Sequence, residues 1–328
     1  MKVTARAYAN IALVKYWGKG DEKLRLPTNS SVAMGLDKIF TTTTVEFDQK
    51  YKTDWVDIDG DKFSKEEIMR VTEHLDRVRQ LATMKERARV VTRNNFPKAV
   101  GAASSASGFA ALSVAGTKAA GLKLSEKELS ILARQGSGSA SRSVSGGVSV
   151  WHRGTSSDTS WAEQIDYPKD WDLGVLLVFV GDLKAKKIGT TEGMALTQET
   201  SPYFQVGVKE AELNAVRIQK AVERGDWLAF GKVIEDECFR LHTLCMTTTP
   251  SLLYWSGETI NIFQKLYQLR ETGIEAYFTV DAGPHVHIIC HQRDKKIIKM
   301  EIERILGVKT VVDCGIAGPA GLIEGHLF

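Results

Sequence analysis

Asn94-Asn-Phe-Pro-Lys-Ala-Val-Gly-Ala-Ala-Ser-Ser-Ala-Ser107 runs without a break into Gly108-Phe-Ala-Ala-Leu-Ser-Val-Ala115. Residues 88–95 read as a strand, and residues 105–120 as a helix with an Ala/Gly/Ser face small enough for close packing. The turn between them is built from small residues around Gly101. Such a loop lets backbone N–H groups approach an anion, and the helix N-terminus behind it adds about half a positive charge. Ser104, Ser105 and Ser107 are hydroxyls that can donate to phosphate, and Ser105 is the candidate contact for Mg²⁺. The spacing is not G-x-x-x-x-G-K-[ST], so this is not the common P-loop. Taken alone, the stretch also has a plainer reading, an N-cap on a buried helix of small residues.

Working outward, the chain is 328 residues long, enough for two domains or one large bilobed unit. Its balance of 43% hydrophobic and 25% charged residues is that of a globular protein. The net charge of +3 is spread along the chain with no polybasic tail, which argues against nucleic acid or membrane binding by bulk charge. Met1-Lys-Val-Thr-Ala-Arg-Ala-Tyr8 has no apolar signal core, and no apolar run reaches membrane-spanning length. Cys238, Cys245, Cys290 and Cys314 show neither C-x-x-C nor zinc spacing. They are expected as reduced core thiols of a cytoplasmic protein.

Upstream of the loop, residues 3–14 form a first strand that delivers Lys15-Tyr-Trp-Gly-Lys19, two lysines and two aromatics around a glycine. This is either a cationic, aromatic-walled anion site or a solvated turn. Leu26-Pro-Thr-Asn-Ser-Ser31 is a polar turn. Residues 39–47 are strand by composition, and residues 54–63 suggest a hairpin turning at Asp59-Gly60. Capping boxes at Ser64/Glu67 and Ser125/Glu128 start two helices. On the first of these, Ile68, Val71, Leu75 and Val78 share a face.

Downstream, Gly136-Ser-Gly-Ser-Ala-Ser-Arg-Ser-Val-Ser-Gly-Gly147 is too rich in small residues for an ordinary linker. Its Arg142 is suited to bidentate contact with carboxylate or phosphate. Leu173–Val180 is a continuous apolar strand, buried on both faces. Lys184, Lys186 and Lys187 follow, and this loop is the expected division between lobes 1–185 and 186–328. Helices are expected at 203–223, 227–241, 257–271 and 294–305, with strands at 275–280, 286–291 and 308–313. Asp281 ends an apolar strand before Ala-Gly-Pro284 and is a candidate general base. His285 and His287 share strand parity, but no third metal ligand is evident and a structural role is expected.

Five stretches read together carry a resemblance. They are Ala9-Asn-Ile-Ala-Leu-Val-Lys-Tyr-Trp-Gly-Lys19, Leu26-Pro-Thr-Asn-Ser-Ser31, Gly101-Ala-Ala-Ser-Ser-Ala-Ser107, Gly136-Ser-Gly-Ser-Ala-Ser-Arg-Ser143 and Phe278-Thr-Val-Asp-Ala-Gly-Pro284. The chain resembles the diphosphomevalonate decarboxylases of the GHMP kinase superfamily along its whole length. The resemblance implies an α+β, two-lobed GHMP kinase fold. Its N-terminal α/β lobe would be like ribosomal protein S5, its C-terminal lobe an α+β sandwich, with the active site in the cleft between. It implies ATP-dependent decarboxylation of mevalonate 5-diphosphate in the mevalonate pathway of isoprenoid biosynthesis, with Mg²⁺. It puts the catalytic acid at Asp281, the catalytic arginine at Arg142 and the phosphoryl-facing lysine at Lys187, with Lys186 the other candidate. Substrate contacts would fall to Tyr16, Lys19, Ser137, Gly138 and Ser139, with Asn10 and Lys15 supporting. ATP would be held by Gly101, Ala102, Ala103, Ser104, Ser105, Ala106 and Ser107. Family members are commonly homodimers, so a homodimer is expected.

Three departures stand out. Ser145 replaces an aromatic, and His285 replaces an asparagine in the turn after Asp281. Thr190-Thr191 stands where some bacterial members carry an arginine for the terminal phosphate. Fewer cations there leave mevalonate 5-phosphate open as the substrate. A 3-kinase that does not decarboxylate, and a silent metabolite-binding protein, are the other readings.

Overall fold

The computed structural model describes residues 1–60, 65–96, 104–181 and 188–328. The first half is a sheet covered by helices. Its elements are β1 (Lys2–Val14), β2 (Lys19–Asp21), β3 (Leu26–Pro27), β4 (Ser31–Asp48), β5 (Trp55–Ile58), α1 (Lys65–Ala82), β6 (Arg87–Asn94), α2 (Ser104–Ala119), α3 (Glu126–Gly136), α4 (Ala140–Ser145), β7 (Val148–Trp151) and β8 (Ala162–Gln164). The second half contributes β9 (Leu173–Val180), α5 (Thr190–Thr200), α6 (Phe204–Arg224), α7 (Trp227–Met246), α8 (Gly257–Glu271), β10 (Ala276–Val280), β11 (Val286–His291), α9 (Lys295–Glu303), β12 (Val308–Cys314) and β13 (Gly321–Leu322).

The large sheet has the order β13-β1-β4-β6-β5, and the far end of β4 also pairs with β7, which pairs with β8. Residues 41–44 of β4 are four buried threonines, and two of their hydroxyls pair with threonines on the neighbouring strands: Thr44 with Thr4 at 2.8 Å and Thr43 with Thr92 at 3.0 Å. Helix α2 lies on this sheet. Its Ala, Ser and Gly residues are buried almost all round, so it packs close and shows no polar face. Ser125 caps α3, accepting from Glu128 N–H while the Glu128 carboxylate accepts from Ser125 N–H.

The second sheet has the order β10-β11-β9-β12. Every residue of β9 is buried. Val175, Leu177 and Phe179 face a core shared with β1, β4, α6 and α7, and Leu176, Val178 and Val180 face the core beneath α8 and α9. That alternation explains an unbroken apolar run. The shared core joins the two lobes.

Three expectations change. Strand β9, which a division at 185 assigns to the first lobe, is hydrogen-bonded inside the second sheet, and β13 returns from the C-terminus to pair with β1. The Asp59-Gly60 turn exists, with φ of +59° and +75°, but the partner of β5 among the described residues is β6, paired in parallel across α1, and residues 61–63 of the expected hairpin lie outside the described residues. Ile68 is exposed, and the buried face of α1 is Val71, Leu75 and Val78. The Ser64 cap lies outside the described residues. Among the described residues no helix is long and apolar enough to cross a membrane. All four cysteines are free and buried.

Candidate active site

The last residues of β1 and the turn after it enter a cleft of about 240 Å³ between the lobes. Lys15 is 1% exposed. Its ammonium donates to Asp281 Oδ1 at 2.7 Å and to the Ala12 carbonyl at 2.7 Å. Its backbone N–H donates at 3.1 Å to Glu237, a fully buried carboxylate on α7. Glu237 also accepts from Asn214 at 2.9 Å and from two nitrogens of Arg240 at 2.7 Å each, so its charge is compensated. The pair that meets in the cleft is thus pinned from three elements: β1, α7 and the end of β10.

Arg142 sits on the short helix α4 and is 3% exposed. It donates to Ser31 Oγ and, at 3.3 Å, to Asn10 Oδ1. Asn10 is fixed in turn by donating to Ser143 Oγ at 2.7 Å. Burial pulls Arg142 down to about 10, against the pull of Asp281, so it stays charged at neutral pH. Its Nε is buried with no partner. A guanidinium held this way presents unused donors to the cleft.

Tyr16 packs edge-on against Trp151 at 4.8 Å. Burial raises its phenol to about 12, so it remains a donor. Gly138 lies beneath it, where a Cβ would fall 2.9 Å from both Tyr16 and Trp151, which leaves room only for glycine. Ser137 Oγ is 3.1 Å from Ser105 Oγ and 3.4 Å from Ser139 Oγ, so the hydroxyls of the two small-residue stretches meet. Lys19 reaches Glu22 at 3.2 Å on the β2–β3 hairpin.

Asn10, Lys15, Tyr16, Lys19, Ser105, Ser137, Gly138, Ser139, Arg142 and Asp281 therefore line one cleft. Ser104 opens instead on an adjoining cavity of about 170 Å³ walled by Ile58, Val71, Phe109 and Leu112. Ser105 and Arg70 line both spaces. Ala106 and Ser107 do not face either one. Both are fully buried, and Ser107 bonds to Thr41 Oγ1 at 2.7 Å, tying α2 to the sheet. The side chains of α2 rotate by about 100° per residue, which sends 106 and 107 inward. Gly101, Ala102, Ala103, Lys184, Lys186 and Lys187 lie outside the described residues.

Two cleft cations escaped sequence reasoning, Arg70 of α1 and Arg25 of the hairpin. Neither had a signal, since each is one charge among several on a polar stretch. Glu237 did have one: it stands in the buried stripe of α7 with Phe230, Ile234 and Leu241. Thr190 and Thr191 line the cleft as neutral hydroxyls. The other departures are structural. Ser145 donates to the Ala162 carbonyl at 3.0 Å, and His285 accepts from Val180 N–H at 3.3 Å while packing on Phe179. His287 comes within 3.9 Å of Asp281, and burial lowers it to about 4, so it is neutral. No cluster of three metal-ligating side chains occurs among the described residues.

A buried lysine paired with a half-exposed acid, a buried arginine and the hydroxyls of two small-residue stretches thus meet in one cleft with an adjoining cavity. Comparison with known proteins identifies the family. Residues 7–162 match the diphosphomevalonate decarboxylase-like N-terminal domain, and residues 176–320 match the mevalonate 5-diphosphate decarboxylase C-terminal domain. The diphosphomevalonate decarboxylase of Ganoderma lucidum is 32% identical over 98% of this chain and 86% of its own. The phosphomevalonate decarboxylase of Haloferax volcanii is 32% identical over 99% and 98%. The crystal structure of mevalonate diphosphate decarboxylase from Staphylococcus aureus superposes with a TM-score of 0.93 at 35% identity, covering 98% of both chains. A structure of MDDEF in complex with MVAPP, AMPPCP and magnesium gives 0.91 at 37%, covering 99% of both. The two-lobed fold is that of the GHMP kinases, and on the strength of both lobes the chain belongs to the diphosphomevalonate decarboxylase family.

Proposed function

We propose that this protein phosphorylates the 3-hydroxyl of mevalonate 5-diphosphate with MgATP and then expels phosphate and CO₂, leaving isopentenyl diphosphate. The observation that carries the reading is the Asp281 carboxylate, held at 2.7 Å by a buried lysine in the same cleft as the buried Arg142. Family membership over the whole chain supports it, as does the relative bound to MVAPP, AMPPCP and magnesium.

Asp281 orients the tertiary hydroxyl and takes its proton, and Lys15 fixes the carboxylate in place. The spare Arg142 donors suit the substrate carboxylate. Tyr16, Lys19, Ser137 and Ser139, with the close-packed Gly138, take the phosphorylated end of the substrate. Ser104, Ser105 and the N-terminus of α2 take the ATP phosphates, and the cavity of Ile58, Val71, Phe109 and Leu112 takes the adenosine. The lack of a carboxylate cluster among the described residues fits a Mg²⁺ held mainly by phosphate oxygens with the Ser105 hydroxyl. Bound there, the ion would neutralise phosphate charge during transfer. Once the 3-phosphate is in place, Asp281 passes the proton it took to a phosphate oxygen and is ionised again. Departure of the phosphate builds positive charge at C3, which the carboxylate stabilises, and the bonding electrons left behind as CO₂ departs form the double bond. As the working form we propose a cytoplasmic homodimer, which light scattering of the purified protein tests.

A second reading, the same chemistry on mevalonate 5-phosphate, draws on the neutral Thr190 and Thr191 in the cleft and on the Haloferax volcanii relative. Purified protein with MgATP and either substrate, followed for ADP and isoprenoid product, separates the readings. Preferred turnover of the diphosphate is expected, and preferred turnover of the monophosphate overturns the first reading.

A further inference from the structure

We propose that Arg25 reads the terminal phosphate of the substrate, making the β2–β3 hairpin the element that selects a diphosphate over a monophosphate. This rests on the proposed decarboxylase reading and deepens it. The cleft holds five described cations, and four are already engaged. Lys15 is bound to Asp281, Arg142 to Ser31 and Asn10, Lys19 to Glu22, and Arg70 donates to the Gly136 carbonyl at 3.2 Å with its guanidinium over Phe109.

Arg25 alone of the five has no hydrogen bond or ion pair among the described residues, although it is half-buried and lines the cleft. Its position is built. The hairpin tip is closed by Leu24 N–H donating to Asp21 at 2.7 Å, and its base by Thr28 N–H donating to the Gly18 carbonyl at 3.2 Å. Arg25 itself holds a left-handed backbone, φ +52°, which a non-glycine residue adopts at a cost. Its charge is felt at Tyr16, where it opposes the effect of burial, and at Arg70, both of which line the same cleft. On the α5 side Thr190 and Thr191 supply hydroxyls and no charge. Beside Lys19, a second phosphate in this cleft therefore meets on the hairpin the one lining cation that, among the described residues, has no partner to give up, and guanidinium is the group suited to two-point contact with phosphate oxygens.

The test is Arg25→Ala and Arg25→Lys, each assayed with mevalonate 5-diphosphate and mevalonate 5-phosphate, with calorimetric binding of both and a thermal melt. Loss of one charge-assisted contact predicts that Arg25→Ala raises KM and Kd for the diphosphate about tenfold or more. The values for the monophosphate should stay within about threefold and the melt should be unchanged, while Arg25→Lys recovers part of the loss. Equal changes for both substrates, or none, overturn the proposal while leaving the decarboxylase reading intact. A wild-type protein that turns over neither substrate overturns both.

Discussion

Replacing Lys15 with methionine removes one ammonium and keeps most of the side-chain stem. The ammonium sits 2.7 Å from Asp281 Oδ1 and is itself 1% exposed. At an effective dielectric of about 20 the gross attraction at that distance is about 6 kcal/mol. Most of this is offset by the cost of keeping the lysine dry, and the Asp281 side chain is 39% exposed, which screens the pair further. The net value of a charge-assisted hydrogen bond, about 1.5 to 3 kcal/mol, is the better guide. If that much positioning is lost at the reacting carboxylate, kcat falls roughly 10- to 150-fold. Lys15 touches Asp281 and not the phosphorylated end of the substrate, so KM should move little. Because the lysine acts through Asp281, the double variant Lys15→Met/Asp281→Ala should be no slower than Asp281→Ala alone. The assay is steady-state ADP release coupled to isoprenoid product, with a melt to confirm folding. A kcat within threefold of wild type, or additive losses in the double variant, refutes the reasoning.

Three further outcomes are expected. Phe109→Leu opens the wall of the nucleotide cavity, so the KM for ATP should rise several-fold with the mevalonate KM unchanged; equal shifts in both would remove the cavity from the ATP side. Gly146 has φ +68°, and a Cβ there would fall 2.3 Å from Gly318 backbone atoms, so Gly146→Ala should cost about 3 kcal/mol or more in urea unfolding. His74 is lowered by burial to about 3, and His242 and His287 to about 4, from 6.5. Below pH 6.5 the unfolded chain takes up protons that the fold excludes, so stability is full above that pH and falls towards pH 4. By pH 5 each histidine should cost about 2 kcal/mol, together a large share of a typical stability. Equal unfolding free energies at pH 7.5 and pH 5 would contradict this.

Where a local pattern determined the outcome, the sequence was readable. The long helices α6, α7 and α8 follow from 3.6-residue apolar spacing, and β9 from an apolar run that two cores absorb. The partner of β5 was not readable, because a turn signal such as Asp59-Gly60 fixes a reversal and not the strand that follows. Motif residues such as Lys15, Tyr16, Arg142 and Asp281 were legible because loops of small and charged residues interrupt otherwise regular elements. The Lys15–Asp281 contact was not, since the two residues follow strands of different sheets far apart in the chain, and only the packing of the lobes brings the lysine into bonding distance. The inward turn of the Ser107 side chain was not legible for a related reason: it depends on which way the first turn of α2 points, and that turn brings its hydroxyl to Thr41.

The central claim is that phosphorylation and decarboxylation occur at one carboxylate. It is tested most directly by incubating the protein with MgATP and mevalonate 5-diphosphate labelled at C1, and counting CO₂ against ADP. The account predicts equimolar release in step, abolished together by Asp281→Ala. ADP formed without CO₂, or undiminished release of both from the variant, would contradict it.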